Sequence, residues 1–417
     1  MRKLFSKLAK GVNHTLGRAG FDFYEIYRCR FPQWKYGRAS RGMRTDMREG
    51  VSIVFDVTSP FSLSQVGRDF IDRLRQTPYS FSLLDIHLPF TSELQIPLDD
   101  FARYRPYCSN RIVYPLVIQF AAGDPIVNRR HPVIFTPFWE FQSGLFEKRP
   151  HFFDGTRGAI VFSKFCYDYF RANAPEEYPI WHLPYPLNLK PEILGRNEMR
   201  QRFGIPKDCF AVFFNFDIRS GYDRKNPEGA MEAFALAFPK ETGVRFVLKV
   251  SSADSDSAKM AALSDRASHL GIADRLMLIT DNLARKEMLS LIASCDAYLS
   301  LHRGEGLGLG MLEAMSVGVP VIATNYGGNT DFCTEETAFM VPYKLVTPQT
   351  DFPLYKHVRE WAEPDVEEAA KYLKSGFADC ALREAKARAA KRFVEERYGV
   401  EEFQTQLEGS LLNTGEP

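Results

Sequence analysis

The stretch that decides the reading is Ser300-Leu-His-Arg-Gly-Glu-Gly-Leu-Gly-Leu-Gly-Met-Leu-Glu-Ala-Met-Ser316. An apolar strand ends near His302, a glycine-rich loop turns, and a helix is predicted from about Leu309 to Val317. Such a junction collects free backbone N–H groups at the positive end of a helix dipole, an arrangement that suits a diphosphate. Glycines 306, 308 and 310 remove side chains that would obstruct close approach. Met311 stands where a dinucleotide fingerprint needs its third glycine, and no Gly-Lys-Ser/Thr is present, so an NAD site and a P-loop are both disfavoured. Glu305 and Glu313 flank the loop, and carboxylates accept hydrogen bonds from vicinal diols such as a ribose or a sugar ring. In isolation the two would be a turn residue and a solvated helix face. The glycines between them favour the binding-site reading.

Outward from this junction, strands and helices alternate. Phe210–Phe216, Val244–Val250, Leu276–Ile279, Ala297–His302 and Val319–Thr324 read as strands, with helices over Pro227–Phe238, Ala258–Leu270 and Arg285–Ser294. An earlier alternation has strands at Val51–Asp56, Phe81–Ile86, Ile112–Phe120, Val133–Thr136 and Ala159–Ser163, with a helix over Gln65–Leu74. Between the two sets, Pro179–Pro191 holds four prolines and reads as a linker. The fold class is therefore α/β, with two doubly wound, Rossmann-like units: 49–190 and 191–345. Residues 346–417 form a C-terminal segment read as helical over Val358–Leu411, and 1–48 form a basic extension.

The 417 residues carry 53 Lys+Arg against 52 Asp+Glu, a net charge of +1 that names no partner. The first fifty residues alone hold twelve Lys/Arg and four Asp/Glu, so a basic head precedes a mildly acidic body. Leu4, Phe5, Leu8, Val12 and Leu16 recur near helical spacing among those cations, a candidate contact with an anionic membrane surface or an acceptor. A solvated tail is the alternative. No nucleic-acid recognition motif is present. The seven cysteines are odd in number, widely spaced and without zinc spacing, which fits a reducing compartment. No run approaches the ~20 apolar residues of a membrane span, and no signal-peptide core is seen, so the expected location is the cytoplasm, peripheral at the inner membrane face.

The sequence resembles the retaining nucleotide-sugar glycosyltransferases of family 4, whose two facing Rossmann domains are called GT-B. The resemblance rests on the E-x7-E element of Glu305 to Glu313 within HRGEGLGLGMLEAMSVGVPVIATNYGGNTDF, and on DIRSGYDRKNP (Asp217–Pro227), VLKVS (Val247–Ser251) and SCDAYLSL (Ser294–Leu301), in that order. It is strong over about residues 205–345 and weaker over 50–190, where fold order, Ser59–Arg68 and Phe138-Trp-Glu140 are what match. It implies that Glu313 binds the donor ribose, Glu305 faces the transferred sugar, and the amides of Gly306, Leu307 and Gly308 hold the diphosphate. Arg224 and Lys225 would neutralise the leaving diphosphate, so the implied catalytic set is Glu305, Lys225 and Arg224. Arg219 is a third candidate cation. Lys249, at the end of an apolar strand, either enters the cleft or snorkels out.

In the first domain, Ser64 and Gly67 within Ser59–Arg68, together with Trp139 and Glu140, are the candidate acceptor or sugar contacts. Trp139 is equally readable as a core residue. This loop is poorer in glycine than is common in the family. Asp254-Ser-Asp256 matches a metal-binding D-x-D but sits in a polar, loop-like run, so no metal site is assigned. None of the eight histidines is assigned a catalytic role, and His302 reads as a packing residue. The resemblance implies a retaining, metal-independent hexosyl transfer, with no cofactor beyond the nucleotide sugar. The donor would be a GDP- or UDP-sugar, mannosyl-type for preference. The acceptor would be a glycan or lipid-linked molecule, as in bacterial surface polysaccharide assembly. The alternatives are a nucleotide-sugar epimerase of similar fold and a catalytically silent carbohydrate-binding subunit.

Overall fold

The computed structural model describes residues 50–59, 62–86, 96, 98–109, 111–120 and 131–407. The basic head, with its candidate surface helix, lies outside them, as do 408–411 of the expected C-terminal helix.

The first sheet holds seven parallel strands: β1 (Val51–Phe55), β2 (Phe81–Asp85), β3 (Cys108–Ser109), β4 (Leu116–Phe120), β5 (Val133–Thr136), β6 (Gly158–Val161) and β7 (Ile180–His182). Their order is β3-β2-β1-β4-β5-β6-β7. The central strands are buried along their whole length, as parallel strands covered on both faces must be. The second sheet runs β8 (Phe210–Asp217), β9 (Val244–Ser251), β10 (Leu276–Ile279), β11 (Ala297–Ser300), β12 (Val321–Thr324) and β13 (Ala338–Val341), in the order β10-β9-β8-β11-β12-β13. Both sheets reverse direction beside their first strand, at β1/β4 and at β8/β11. Ligands of open α/β sheets bind outside the strand ends at such switch points.

Three expectations need correction. The proline-rich linker begins with a strand: β7 occupies Ile180–His182, between Pro179 and Pro184, at the sheet edge where flanking prolines cost no ladder bond. The segment from Val358 is not helical at its start, because Trp361–Pro364 (β15) pairs antiparallel with Tyr343–Val346 (β14). Helix begins only at Val366, where the Asp365 carboxylate caps the Glu368 amide at 2.9 Å. The helix in the first domain begins at Ser62 rather than Gln65, which takes Ser64 and Gly67 out of the loop.

After Val366–Ala378 and Cys380–Arg397, the helix Val400–Leu407 lies against the first domain. Phe403 meets Phe70 edge-on at 5.5 Å between ring centres, and Arg73 donates to the carbonyls of Leu187 (2.5 Å) and Tyr398 (3.1 Å). One apolar core thus continues from β1 and β4 through Tyr185 and Leu187 to the helix Leu309–Ser316. Among the described residues, no helix is long and apolar enough to cross a membrane.

Candidate functional site

A cavity of about 490 Å³ opens between the carboxyl ends of the two sheets. Its second-domain wall follows the switch point. Asn215 and Asp217 end β8, Lys249 and Ser251 end β9, and Ser300 ends β11, followed by the loop Glu305–Leu309. The opposing wall comes from the helix Ser62–Leu74 and from Pro137–Glu140 after β5.

The glycine-rich junction is built as a strand–turn–helix. Gly308 takes φ +86°, a left-handed conformation open to glycine, and caps the helix Leu309–Ser316. Residues 306 to 310 line the cavity, and among the described residues no backbone carbonyl accepts from their amides. Gly310 has a second reason to be glycine: a Cβ there would collide with the hydroxyl of Tyr298, which hydrogen-bonds Asn215 at 2.8 Å. The first domain grips the same turn from behind. Ser163 Oγ donates to the Gly306 carbonyl at 2.5 Å, Cys166 Sγ does so at 3.2 Å, and the Lys164 amide, at a helix N-terminus, meets the Asp331 carboxylate at 2.7 Å.

Beside the turn, Glu305 is 8% exposed and paired with the Lys225 ammonium, while Arg224 Nη1 lies 3.4 Å from the same oxygen. Burial pushes the Glu305 carboxyl upward, but Lys225 and Arg224 outweigh it and hold the group down at about 2. Arg224 is itself fixed, donating to Gly304 O at 2.7 Å, Ser220 O at 2.8 Å and Tyr355 Oη at 2.9 Å, with Glu140 at 3.6 Å. Burial raises the Glu140 carboxyl, opposed by Arg224. Glu313, 4% exposed, is paired with Arg285, which also reaches Asp69 of the first domain at 3.8 Å. Asp69 accepts from Tyr185 Oη at 2.6 Å and from Gln65 Nε2 at 2.7 Å.

Lys249 enters the cavity rather than snorkelling out. It is 3% exposed, its ammonium donates to Ser251 Oγ at 3.1 Å, and burial lowers it to about 8 against the pull of Asp217 and Asp281. Arg219 is absent from the cavity wall; its guanidinium lies along Asp217 at 3.1–3.2 Å, a partner two residues away. Ser64 and Gly67 also stand behind the wall. A Cβ on Gly67 would sit 2.7 Å from the Phe55 ring, so this glycine lets the helix pack on β1. Trp139 lines the cavity and is 3% exposed, bonded from Nε1 to Ser143 O at 2.9 Å and set edge-on to Phe141 and Tyr355.

Asp256 of the D-x-D pattern caps the helix Ser257–His269 through the Lys259 amide at 3.1 Å, which accounts for that aspartate without a metal. His302 is buried, with Nε2 2.8 Å from Tyr326 O and Nδ1 3.0 Å from Ser300 Oγ. The residues that sequence reasoning missed are Arg285, Asp69 and Tyr355. Each lies far along the chain from the group it serves, and no local spacing marks it.

Residues 196–347 match the profile of the family described as glycosyl transferases group 1. Among curated relatives, the lipopolysaccharide core biosynthesis mannosyltransferase LpsB of Rhizobium meliloti is 33% identical over 82 residues, 19% of this chain and 22% of that protein. The D-inositol 3-phosphate glycosyltransferase of Mycolicibacterium smegmatis is 29% identical over 134 residues, 32% of this chain and 29% of that one. The matches span 22% and 29% of the length of these two curated relatives. Of solved structures, Anabaena HepE in complex with UDP-glucose aligns with a TM-score of 0.66 at 13% identity, over 87% of this chain and 99% of that one. WaaG, a glycosyltransferase involved in lipopolysaccharide biosynthesis, aligns at 0.56 and 14% identity over 87% and 99%. At these identities the likeness is one of fold, and the fold is GT-B.

Proposed function

We propose, from the match of residues 196–347 to the glycosyl transferases group 1 profile, that this chain transfers a sugar from a nucleoside diphosphate donor to a hydroxyl acceptor with retention of configuration. The observation that carries the reading is the convergence of Lys225, Arg224, Glu305, Glu313 and the amides of 306–310 on one wall of one interdomain cavity. Glu313 takes the ribose diol, exchanging part of its contact with Arg285. The five amides and the helix N-terminus hold the diphosphate. Lys225 and Arg224 neutralise the charge that grows on the departing diphosphate, the task a metal performs in other transferases, so the proposed reaction needs no metal.

In the step itself, the bond from the sugar C1 to the phosphate oxygen breaks and a bond from C1 to the acceptor oxygen forms on the same face. The acceptor proton passes to the leaving phosphate oxygen. Glu305, held ionised, faces the positive charge that develops at C1. No protein nucleophile is required, and catalysis consists of positioning and charge stabilisation. The acceptor enters over the helix Ser62–Leu74 and Glu140; a glycan or lipid-linked molecule of a surface polysaccharide is the proposed class, with the basic head holding the enzyme at the inner face of a membrane.

The test is incubation with a panel of UDP-, GDP- and ADP-sugars, reading nucleoside diphosphate release and, by NMR, the anomeric configuration of the product. Retention with one donor, unaffected by a chelator, is expected. Inversion, or no release from any donor, overturns the reading. Removing residues 1–45 is expected to weaken sedimentation with anionic liposomes, and unchanged sedimentation would sink the membrane part alone.

A further inference from the structure

The connection between β14 and β15, residues 347–360, does not belong to either parallel sheet, yet it touches both domains at the reactive end of the cavity. On the second domain, Thr350 Oγ1 donates to Asp223 at 2.6 Å. On the first, the Arg359 amide donates to Ser143 Oγ at 3.0 Å and its guanidinium meets Glu147 at 2.9 Å. Two glycines make room for the crossing. Gly144, at φ +93°, would put a Cβ 2.8 Å from the Val358 amide nitrogen, and Gly221, at φ +88°, would put one 2.8 Å from the Tyr355 ring.

Midway along this strap a short 3₁₀ turn, Pro353–Tyr355, faces inward. Leu354 becomes part of the cavity wall. Tyr355, 3% exposed, packs edge-on against Phe141 at 4.9 Å and accepts the Arg224 Nε–H at 2.9 Å. A guanidinium presents five N–H groups in a rigid fork. With Nε held by Tyr355, and Nη1 and Nη2 each anchored to a carbonyl, the edge still turned to the cavity faces Glu305 and Glu140, at 3.4 and 3.6 Å.

We propose that the 347–360 strap closes the sugar end of the cavity across both domains, and that Tyr355 on it is the positioning residue that aims Arg224 at the leaving diphosphate. The proposal rests on the functional reading above. It assigns a role in turnover to a segment that lies outside the glycine-rich turn and the two parallel sheets. Tyr355 acts in the transition state through Arg224, so its hydroxyl serves turnover rather than ground-state nucleotide binding.

Tyr355→Phe removes the hydroxyl and keeps the ring among Phe141, Trp139 and Phe352. With the donor that the wild type turns over, the expected result is a fall in kcat of about tenfold, the scale of one lost hydrogen bond to a charged group. The Kd of the nucleoside diphosphate should stay close to wild type, while the melting temperature falls by a few degrees because the buried Arg224 Nε–H loses its partner. An unchanged kcat overturns the proposal while leaving the functional reading intact. So does a fall in kcat accompanied by an equal fall in nucleoside diphosphate affinity, which would mark Tyr355 as merely structural. Absence of wild-type turnover with every donor overturns the functional reading and the proposal together, so the two failures are told apart by the wild-type arm.

Discussion

Replacing Glu305 by Gln deletes the carboxylate that Lys225 and Arg224 share and leaves two cations facing each other without it. The fall of this carboxyl from the ordinary 4.5 to about 2 corresponds to about 3 kcal/mol of preference for the charged form in the folded protein. Removing one partner of a buried pair costs a similar amount. For a unit of 150–250 residues this translates to a drop in Tm of roughly 6–12 °C at pH 7. The pH dependence follows from linkage. A carboxylate depressed on folding contributes stability above its unfolded value of 4.5, and the contribution is lost as the pH falls toward 2. The gap between wild type and E305Q should therefore be full at pH 7 and close progressively below pH 4.5. Adding Lys225→Met to E305Q removes one of the stranded cations, so the double variant should melt above E305Q, a coupling of about 1–3 kcal/mol in the cycle. Differential scanning calorimetry of the four proteins gives all of these quantities. If E305Q melts within the error of wild type, or if the two substitutions simply add, the ion-pair account of this wall is wrong.

Arg285→Ala strands the buried Glu313 and cuts its link to Asp69, so both thermal stability and nucleoside diphosphate affinity should fall; calorimetric titration showing wild-type affinity would remove Arg285 from the site. Lys249→Met should raise Tm at pH 7, because the folded state bears the cost of a buried ammonium below its lowered value of about 8 and sheds it between there and 10.5, where the unfolded chain titrates. The gain should shrink across that window, and a gain independent of pH would contradict the burial argument.

The parts of the molecule written locally were legible in the sequence. The alternation of apolar runs and helices located five of the six strands of the second sheet to within two residues at either end, and missed β13 (Ala338–Val341). The strand–glycine turn–helix junction was legible as structure, because a strand end, a left-handed glycine and a helix start depend on local geometry alone. What failed was whatever depends on distant partners. Gly67 reads in the sequence as a loop glycine near a ligand, but its missing Cβ accommodates Phe55, a strand neighbour no local pattern reveals. Arg219 is the exception to this: it reads as a free cation beside a phosphate site, yet its partner Asp217 is only two residues earlier. Tyr355 and Arg285 reach the site across sequence separations of 131 from Arg224 and 28 from Glu313, inside segments whose composition is ordinary. The strand Trp361–Pro364 was hidden by the charged, alanine-rich helices that follow it, and Pro364 and the Asp365 cap were the local signs that helix had not yet begun.

The central claim is that the cavity takes a nucleoside diphosphate with its ribose on Glu313. Isothermal titration of UDP, GDP and ADP into the wild type and into Glu313→Ala tests it most directly. The account predicts saturable 1:1 binding of one of the three by the wild type and at least about tenfold weaker binding by Glu313→Ala, the scale of a lost hydrogen bond to a charged group. Equal affinity in the two proteins, or no binding of any of the three by the wild type, would contradict it.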